Sequence, residues 1–407
     1  MLKSAPTQDC VLIAGAGPVG LTLALCLAEA GVYVKLFEAA PDIVEDLRAS
    51  TFHPPTLDML DQFCITDELI AQGLICPHWQ IRLHPSGDRA VFDLAAIAKH
   101  TKHPYRLQCE QWKLSRAVLS RITHHKNVEL HFSSVVVSAE QDASGVTLVV
   151  EQGGERGGEQ RTVTGRYAVG CDGARSVIRH AMGVEFSGET YPETTILATT
   201  RFPFDEHLPG LSNVSYCWKA AGGNFSLLRL PGVWRTSIYP AEDRSIEESL
   251  SPAAIAQSLA EIVPAAGNTE VLEVRPYRVH QRIATQYRQG RLLLAGDAAH
   301  LNSPAGGMGM NGGVHDAFNL ADKLARVWRG ETESLLDLYE RQRRPIAQQQ
   351  IIAQADTNRV RMRERDPAKR QEILDGFKAV IAEPEKLRVH LLKTSMITGL
   401  KQAAAIS

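Results

Sequence analysis

The most constraining stretch lies near the start of the chain, where a short apolar segment runs into a glycine-rich turn. Residues 11–14 are all apolar, residues 15–20 read Gly-Ala-Gly-Pro-Val-Gly, and an apolar helix is predicted over residues 21–30. A second short strand is predicted over residues 32–37 and ends on Glu38. Strand, tight turn, helix and strand in this order predict a buried βαβ unit at the beginning of an α/β fold.

The turn of this unit carries a Gly-x-Gly-x-x-Gly pattern. Gly15 permits the tight turn, Gly17 lets backbone approach a pyrophosphate, and Gly20 allows close packing of helix on strand. Glu38 follows roughly 20 residues on, where an acid bonds a ribose hydroxyl. The pattern alone is weak, but with its strands, helix and terminal acid it predicts an adenine dinucleotide held on the helix N-terminus.

Length, net charge and cysteine spacing narrow the classes of protein to which the chain can belong. The chain has 407 residues and a formal net charge of −2, which suits two or three domains and gives no electrostatic case for nucleic acid or an anionic membrane. Its seven cysteines are scattered and never spaced Cys-x-x-Cys, so we expect reduced thiols in a cytoplasmic protein and no metal site. The apolar stretch at residues 11–28 is interpreted as a buried unit and not as a membrane span.

Strands and helices alternate along most of the chain, but residues 184–277 are dominated by successive strands. This run predicts a separate, largely antiparallel domain whose sheet forms the wall of a substrate pocket. The predicted division is 1–183 and 281–345 for the two parts of a dinucleotide-binding domain, 184–280 for the sheet domain and 346–407 for C-terminal helices. Candidate lining residues, each also compatible with an ordinary core or surface role, are Tyr216, Trp218, Asn224, Arg229 and Tyr239.

Two later segments return to the opening pattern. A strand ends on Gly170 and is followed by an Asp172-Gly173 turn with an arginine beyond it, which makes an anion site plausible. Another short strand ends on Gly296-Asp297. Residues 307–312 also match Gly-x-Gly-x-x-Gly, but no strand leads into them, so we interpret them as backbone laid against a flat ligand at a helix N-terminus.

The βαβ unit, the Asp172-Gly173 turn and the Gly296-Asp297 segment occur in the order and spacing that resembles the class A flavoprotein monooxygenases, the p-hydroxybenzoate hydroxylase-like aromatic hydroxylases. The resemblance covers roughly residues 11–343. It implies a Rossmann-like FAD-binding domain of the glutathione-reductase type, with an inserted, mainly antiparallel β-sheet substrate domain and C-terminal helices.

The resemblance implies FAD-binding roles for residues spread along the chain. Gln111 is implied to reach the flavin side chain, with Gln108 as the competing position. Asp172 belongs to a motif associated with both FAD and the nicotinamide cofactor, and Asp297 is implied to bond the ribityl chain. The implied set is Gly15, Gly17, Pro18, Val19 and Gly20 at the pyrophosphate, Glu38 at the ribose, Arg48 near the diphosphate, Gln111, Asp172, Gly296, Asp297, Pro304 over the ring, and Gly309, Met310 and Asn311 at the pyrimidine end.

The implied activity is hydroxylation of a small phenolic or heteroaromatic ring by O2 through a flavin C4a-hydroperoxide, after FAD is reduced by NADH or NADPH. A second dinucleotide unit is absent from the sequence, so nicotinamide would bind transiently on the FAD scaffold. No catalytic base is identified, since His300 beside the flavin motif is more typical of a structural residue. Alternatives are a flavin halogenase or reductase of the same fold, although the Trp-x-Trp-x-Ile-Pro signature of halogenases is absent, and a non-catalytic flavin module. We expect a monomer or homodimer.

Overall fold

The computed structural model describes residues 9–45, 49–153, 158–220, 222–240, 244–303 and 306–407. Two of the implied cofactor residues, Arg48 and Pro304, lie outside these ranges. Within them, no helix is long and apolar enough to cross a membrane.

The described residues form strands and helices throughout their length. In chain order the strands are β1 Val11–Ala14, β2 Val34–Phe37, β3 Thr51–Phe52, β4 Leu74–Cys76, β5 His78–His84, β6 Arg89–Asp93, β7 Arg106–Gln108, β8 Val128–His131, β9 Ser134–Gln141, β10 Val146–Gln152, β11 Gln160–Gly165, β12 Tyr167–Gly170, β13 Phe186–Thr200, β14 Val214–Lys219, β15 Asn224–Leu230, β16 Val233–Ile238, β17 Val271–Ala284, β18 Arg288–Gln289, β19 Leu292–Leu294 and β20 His300–Leu301. The helices are α1 Pro18–Glu29, α2 Pro54–Asp61, α3 Thr66–Gln72, α4 Gln111–Ile122, α5 Val177–Met182, α6 Phe204–His207, α7 Ile246–Ser249, α8 Pro252–Ala260, α9 Gly309–Trp328, α10 Ser334–Ile346, α11 Ala353–Met362, α12 Pro367–Ala382, α13 Pro384–Thr394 and α14 Ile397–Ala404.

The first sheet has the strand order β18-β19-β12-β1-β2-β8, and all its pairs except β18–β19 are parallel. Strand β1 is apolar and wholly buried at the centre, as a strand covered on both faces must be. Helices α1, α4 and α9 and the small β9–β11 sheet share its core. The parallel arrangement confirms the predicted Rossmann-like organisation.

Three motifs that are far apart in sequence meet at the carboxyl edge of this sheet. The amide of Gly15 donates to the carbonyl of Phe37 at 2.7 Å, and the amide of Cys171 donates to the carbonyl of Ala14 at 2.8 Å. Strands β12 and β19 are parallel neighbours, so the turn at Gly296 emerges beside them. Ligands of open α/β sheets bind at this edge, and the fold therefore gathers the motifs where a dinucleotide is expected.

The second sheet has the order β20-β17-β13-β16-β15-β14-β5-β6 and is antiparallel except for the β14–β5 pair. It confirms the mainly antiparallel second layer. The β5–β6 hairpin belongs to this sheet, although the predicted boundary at residue 184 assigns it to the first domain. The pairing partner of β5 is β14, far away in sequence, and alternation within β5 carries no information about that partner.

The C-terminal helices close the far end of the second sheet. Apolar residues of α12 and α13, among them Leu374 and Leu391, share a buried cluster with Trp79 of β5 and Phe92 of β6. A π-helical turn over residues 347–352 links α10 to α11. Through this packing the C-terminal segment reaches the region between the two sheets.

Candidate functional site

A cavity of about 1770 Å³ runs between the carboxyl edge of the first sheet, one face of the second sheet and helices α11 and α13. Single-ligand pockets usually enclose about 300–1000 Å³. The cavity therefore has room for a dinucleotide and a second, smaller ligand. The predicted cofactor residues that line it are Gly15, Gly17, Pro18, Val19, Glu38, Gln111, Asp172, Asp297, Gly309 and Met310.

The glycine turn forms one wall of the cavity and is shaped for close approach. Gly15 has φ +97°, and a Cβ on Gly20 would lie 2.0 Å from the carbonyl oxygen of Gly15. Gly17 has an extended backbone with φ −70°, and a Cβ there would meet no atom within 4 Å. Gly15 and Gly20 are thus required by the turn itself, whereas Gly17 leaves its backbone open to a ligand.

Glu38 braces this turn from the end of β2. Its Oε2 accepts a hydrogen bond from the amide of Ala16 at 2.7 Å, and its Oε1 accepts one from the amide of Ala40 at 2.9 Å. A carboxylate has about four acceptor sites, so capacity remains for a ribose hydroxyl. Glu38 lines the cavity, which fits the role implied by its position after the strand.

Asp172 and Asp297 enter the cavity from neighbouring strand ends. Oδ2 of Asp172 accepts a hydrogen bond from the amide of Val177 at 2.7 Å, whereas its Oδ1 is buried with no partner among the described residues. Burial raises the pKa of Asp172. Asp297 is exposed in a short 3₁₀ turn. Both carboxylates line the cavity, so they fit a site in which a bound cofactor offers hydroxyl groups as hydrogen-bond donors.

The glycine-rich loop before α9 forms the next wall. Gly307, Met308, Gly309 and Met310 line the cavity, and the first amides of α9 have no carbonyl one turn earlier to bond. Asn311 does not line it, since its side chain is fully buried and fastens α9 to β3. Its Nδ2 donates to the carbonyl of Thr51 at 2.8 Å, and its Oδ1 accepts from the amide of His53 at 2.9 Å.

The structure distinguishes between the two candidate glutamines, Gln111 and Gln108. Gln111 is the first residue of α4 and lines the cavity. Gln108 is fully buried in β7 and exchanges hydrogen bonds with the hydroxyl of Thr51. The structure therefore brings Gln111, and not Gln108, to the cavity.

A buried ion pair supports the Gly296 turn from behind. Oδ1 of Asp316 accepts from Nε of Arg343 at 2.7 Å, and its Oδ2 lies 2.8 Å from Nε2 of His300 and accepts from the amide of Gly296 at 3.1 Å. Burial alone would raise the pKa of Asp316, but Arg343 and His300 lower it to about 2. His300 is buried in this network and does not line the cavity, in keeping with a structural role.

Of the five substrate-pocket candidates, Tyr216, Asn224 and Tyr239 line the cavity. Trp218 and Arg229 do not. Trp218 is fully buried beneath α11, where its Nε1 donates to the carbonyl of Arg361 at 3.2 Å. Arg229 lies two residues after the buried Leu227 in β15, so its side chain is on the same face of the strand and points away from the cavity. It pairs with Asp205 at 2.8 Å.

Many cavity residues were not found by sequence analysis, among them Trp79, Arg106 and His390. These three come from β5, β7 and α13, which no local pattern connects. The one available signal was an arginine between Tyr105 and Leu107, whose burial would call for a special partner.

Comparison with known proteins agrees with this geometry. The FAD binding domain family matches residues 9–354. The para-nitrophenol 4-monooxygenase of Pseudomonas sp. (strain WBC-3) is 32% identical over 399 residues, covering 97% of each protein. The 6-hydroxy-3-succinoylpyridine 3-monooxygenase HspB of Pseudomonas putida is 34% identical over 336 residues, covering 82% of this chain and 84% of the relative.

A solved structure shows the same fold. The crystal structure of p-nitrophenol 4-monooxygenase PnpA from Pseudomonas putida superposes with a TM-score of 0.88 at 31% identity, covering 96% of this chain and 98% of that one. The match extends over both sheets and the C-terminal helices. This chain belongs to the FAD binding domain family and is an FAD-dependent aromatic monooxygenase.

Proposed function

We propose that this chain hydroxylates a small, single-ring phenolic or heteroaromatic compound, using O2 and either NADH or NADPH. The observation that carries the proposal is the cavity of about 1770 Å³, in which the dinucleotide motifs face the second sheet. The two relatives, a nitrophenol and a hydroxypyridine monooxygenase, are both named for substrates with one ring that carries an oxygen substituent. The cavity of about 1770 Å³ exceeds the usual size of a single-ligand pocket, which supports a small ring bound next to the cofactor.

The residues that would hold FAD are those that line the cavity at the motifs. The amides of the Gly15–Gly20 turn would bind the diphosphate, Glu38 the ribose, and Gln111, Asp172 and Asp297 the chain that leads to the flavin. Bound FAD would supply hydride acceptance from NAD(P)H and activation of O2. Arg48 and Pro304 remain predicted contacts.

The protein itself would position the cofactor and substrate, stabilise developing charge and exclude water from the reacting ring. The N-terminus of α9, with the amides of Gly309 and Met310, presents partial positive charge that would stabilise negative charge on a bound flavin. Apolar side chains such as Ile81, Leu228 and Met310 line the same cavity and limit water near the reacting ring.

The function is tested by cofactor oxidation with a panel of phenols, hydroxybenzoates and N-heteroaromatic acids. We expect one ring class to stimulate oxidation of NADH or NADPH by at least about 10-fold, because a bound ring gives the oxygen a productive acceptor. Oxygen uptake and a hydroxylated product are measured in parallel. A flavin-loaded protein that no ring stimulates would instead favour the non-catalytic flavin module.

Replacing Asp297 with alanine is expected to weaken FAD retention at least about 10-fold, because one hydrogen bond to a charged group is lost. Flavin absorbance per protein after gel filtration measures retention, and circular dichroism checks the fold. Asp322→Ala is the matched control, since Asp322 is an exposed acid on α9 that pairs with Lys323. Full flavin content in Asp297→Ala would contradict the assignment.

A further inference from the structure

One end of the cavity carries buried nitrogen atoms that have no hydrogen-bond partner in the described part of the chain. They are Nε1 of Trp79, Nε and Nη1 of Arg106, and Nε2 of His390. All three residues line the cavity. We refer to Trp79, Arg106 and His390 as the Arg106 cluster.

The cluster is compact although its members come from three elements. The guanidinium carbon of Arg106 lies 5.0 Å from the centroid of the Trp79 ring, and the His390 ring lies 6.2 Å from the same ring. Trp79 is held by stacking on Phe92 at 4.0 Å, and Tyr216 is a hydrogen-bonding neighbour of Arg106. The three side chains are therefore fixed by packing where they line the cavity.

Among the described residues, Arg106 is buried without a counter-charge. Only 4% of the residue is exposed, and burial lowers the pKa of its guanidinium. The groups that act against this shift are Tyr216 and Cys76, and no carboxylate of the described residues is among them. A buried cation without a carboxylate partner is costly, so its presence beside a cavity points to a ligand that supplies the missing partner.

The chemistry of the nitrogens defines that ligand. The indole N–H and the guanidinium only donate hydrogen bonds. Burial, followed by the nearby charges of Arg361, Lys393 and Arg106, lowers the pKa of His390 to about 4, so its ring is neutral at pH 7 and can donate from one nitrogen. Three donors and a net positive charge match a group that carries only acceptors and a negative charge.

We propose that the Arg106 cluster binds an anionic oxygen substituent of the aromatic substrate and thereby selects acidic rings over neutral rings of the same size. This inference rests on the proposed function, because it assigns a specificity site within the same cavity. A carboxylate and a phenolate, such as that of an ionised nitrophenol, share the required acceptor atoms and negative charge. Arg106 carries the charge, and Trp79 and His390 add donors and fix the orientation.

The test measures equilibrium binding of aromatic rings of similar size to the FAD-loaded protein, without NADH or NADPH. The change in flavin absorbance monitors binding. The rings are 4-hydroxybenzoate, 4-nitrophenol, phenol and the neutral 4-hydroxybenzamide. We expect at least one acidic ring to bind about 10-fold or more tightly than the amide, since charge-assisted hydrogen bonds are about twice as strong as neutral ones. Comparison of the benzoate with the nitrophenol identifies the preferred substituent.

In Arg106→Met this preference should fall below about 3-fold, with binding of the amide unchanged, because the charge is lost while the volume is kept. Arg106→Lys should restore part of it. Arg201→Met is the control, since Arg201 is exposed, pairs with Glu270 and does not line the cavity. If Arg106→Met fails to retain FAD, Trp79→Phe becomes the deciding variant, because it keeps an aromatic ring, removes one donor and should weaken binding of the acidic ring several-fold.

A wild-type protein that binds the acidic and neutral rings equally, or a preference that survives in the deciding variant, would overturn the cluster assignment. This result is separate from the proposed function. Cofactor oxidation stimulated by rings in the wild type, together with an unchanged preference in Arg106→Met, would reject the cluster alone. Absence of any stimulation would reject the proposed function, whatever the binding data show.

Discussion

Replacement of Gly17 with valine should abolish FAD binding and leave the fold intact. Gly17 has an extended backbone that any residue adopts, and a Cβ there would meet no atom within 4 Å. The added side chain would instead project into the cavity where the turn amides are expected to meet the diphosphate. Loss of two hydrogen bonds to a charged group corresponds to at least about 100-fold weaker binding.

The matched comparison is Gly20→Ala in the same turn. A Cβ at Gly20 would lie 2.0 Å from the carbonyl oxygen of Gly15, so even a methyl group forces the turn apart. We expect Gly20→Ala to lose both FAD and thermal stability, and Gly17→Val to lose FAD alone. Gly376→Ala in α12 is the control, because nothing lies within 4 Å of its Cβ position and alanine favours a helix more than glycine does, so it should keep FAD binding and lose no stability.

Flavin absorbance after reconstitution, isothermal titration with FAD and melting of the FAD-free protein separate these outcomes. A Gly17→Val protein that binds FAD like the wild type would show that the diphosphate does not lie against this turn. A Gly17→Val protein that unfolds would show that Gly17 is required by the turn and not by the ligand.

The first half of the site was predictable because its signals are local. A stretch of about 30 residues or fewer is enough to recognise each of these features: the glycine turn, the acid at the end of β2 and the short strand β19. The ends of strand β15, Asn224–Leu230, are likewise marked in the sequence by glycine and proline. Hydrogen bonds within β1–α1–β2 then determine where the predicted cofactor residues lie.

The substrate end was less predictable because it depends on non-local packing. Trp218 has the parity of the lining residue Tyr216, yet α11 covers it through the carbonyl of Arg361. Trp79 and His390 meet only after β5 pairs with β14 and α13 packs on the β5–β6 hairpin. Parity within one strand gives the face of a residue, but not which element later covers that face.

The ion pair behind the Gly296 turn should be among the strongest single contributions to stability. Asp316 and Arg343 are both fully buried and bonded at 2.7 Å, with His300 and the amide of Gly296 on the second carboxylate oxygen. Asp316→Asn leaves the buried guanidinium without a counter-charge. We expect the free energy of unfolding at pH 7 to fall by about 3–5 kcal/mol.

The pH dependence of the unfolding free energy provides a second test of this prediction. The pKa of Asp316 is lowered from 3.8 to about 2 in the folded chain. The stability that its carboxylate contributes is therefore fully present above the pKa of the unfolded chain, and it is lost as the pH falls through the pKa of the folded chain. The gap between wild type and Asp316→Asn should therefore stay constant from about pH 8 to 5 and narrow below about pH 4.

Urea denaturation at saturating FAD, followed by circular dichroism at several pH values, measures that gap. Asp322→Asn is the control on the same helix, because Asp322 is largely exposed and its pairing with Lys323 is screened by solvent. It should change the unfolding free energy by less than about 1 kcal/mol. A loss for Asp316→Asn no larger than for this control, or a gap that widens on acidification, would mean that the buried carboxylate does not stabilise the turn that positions Asp297.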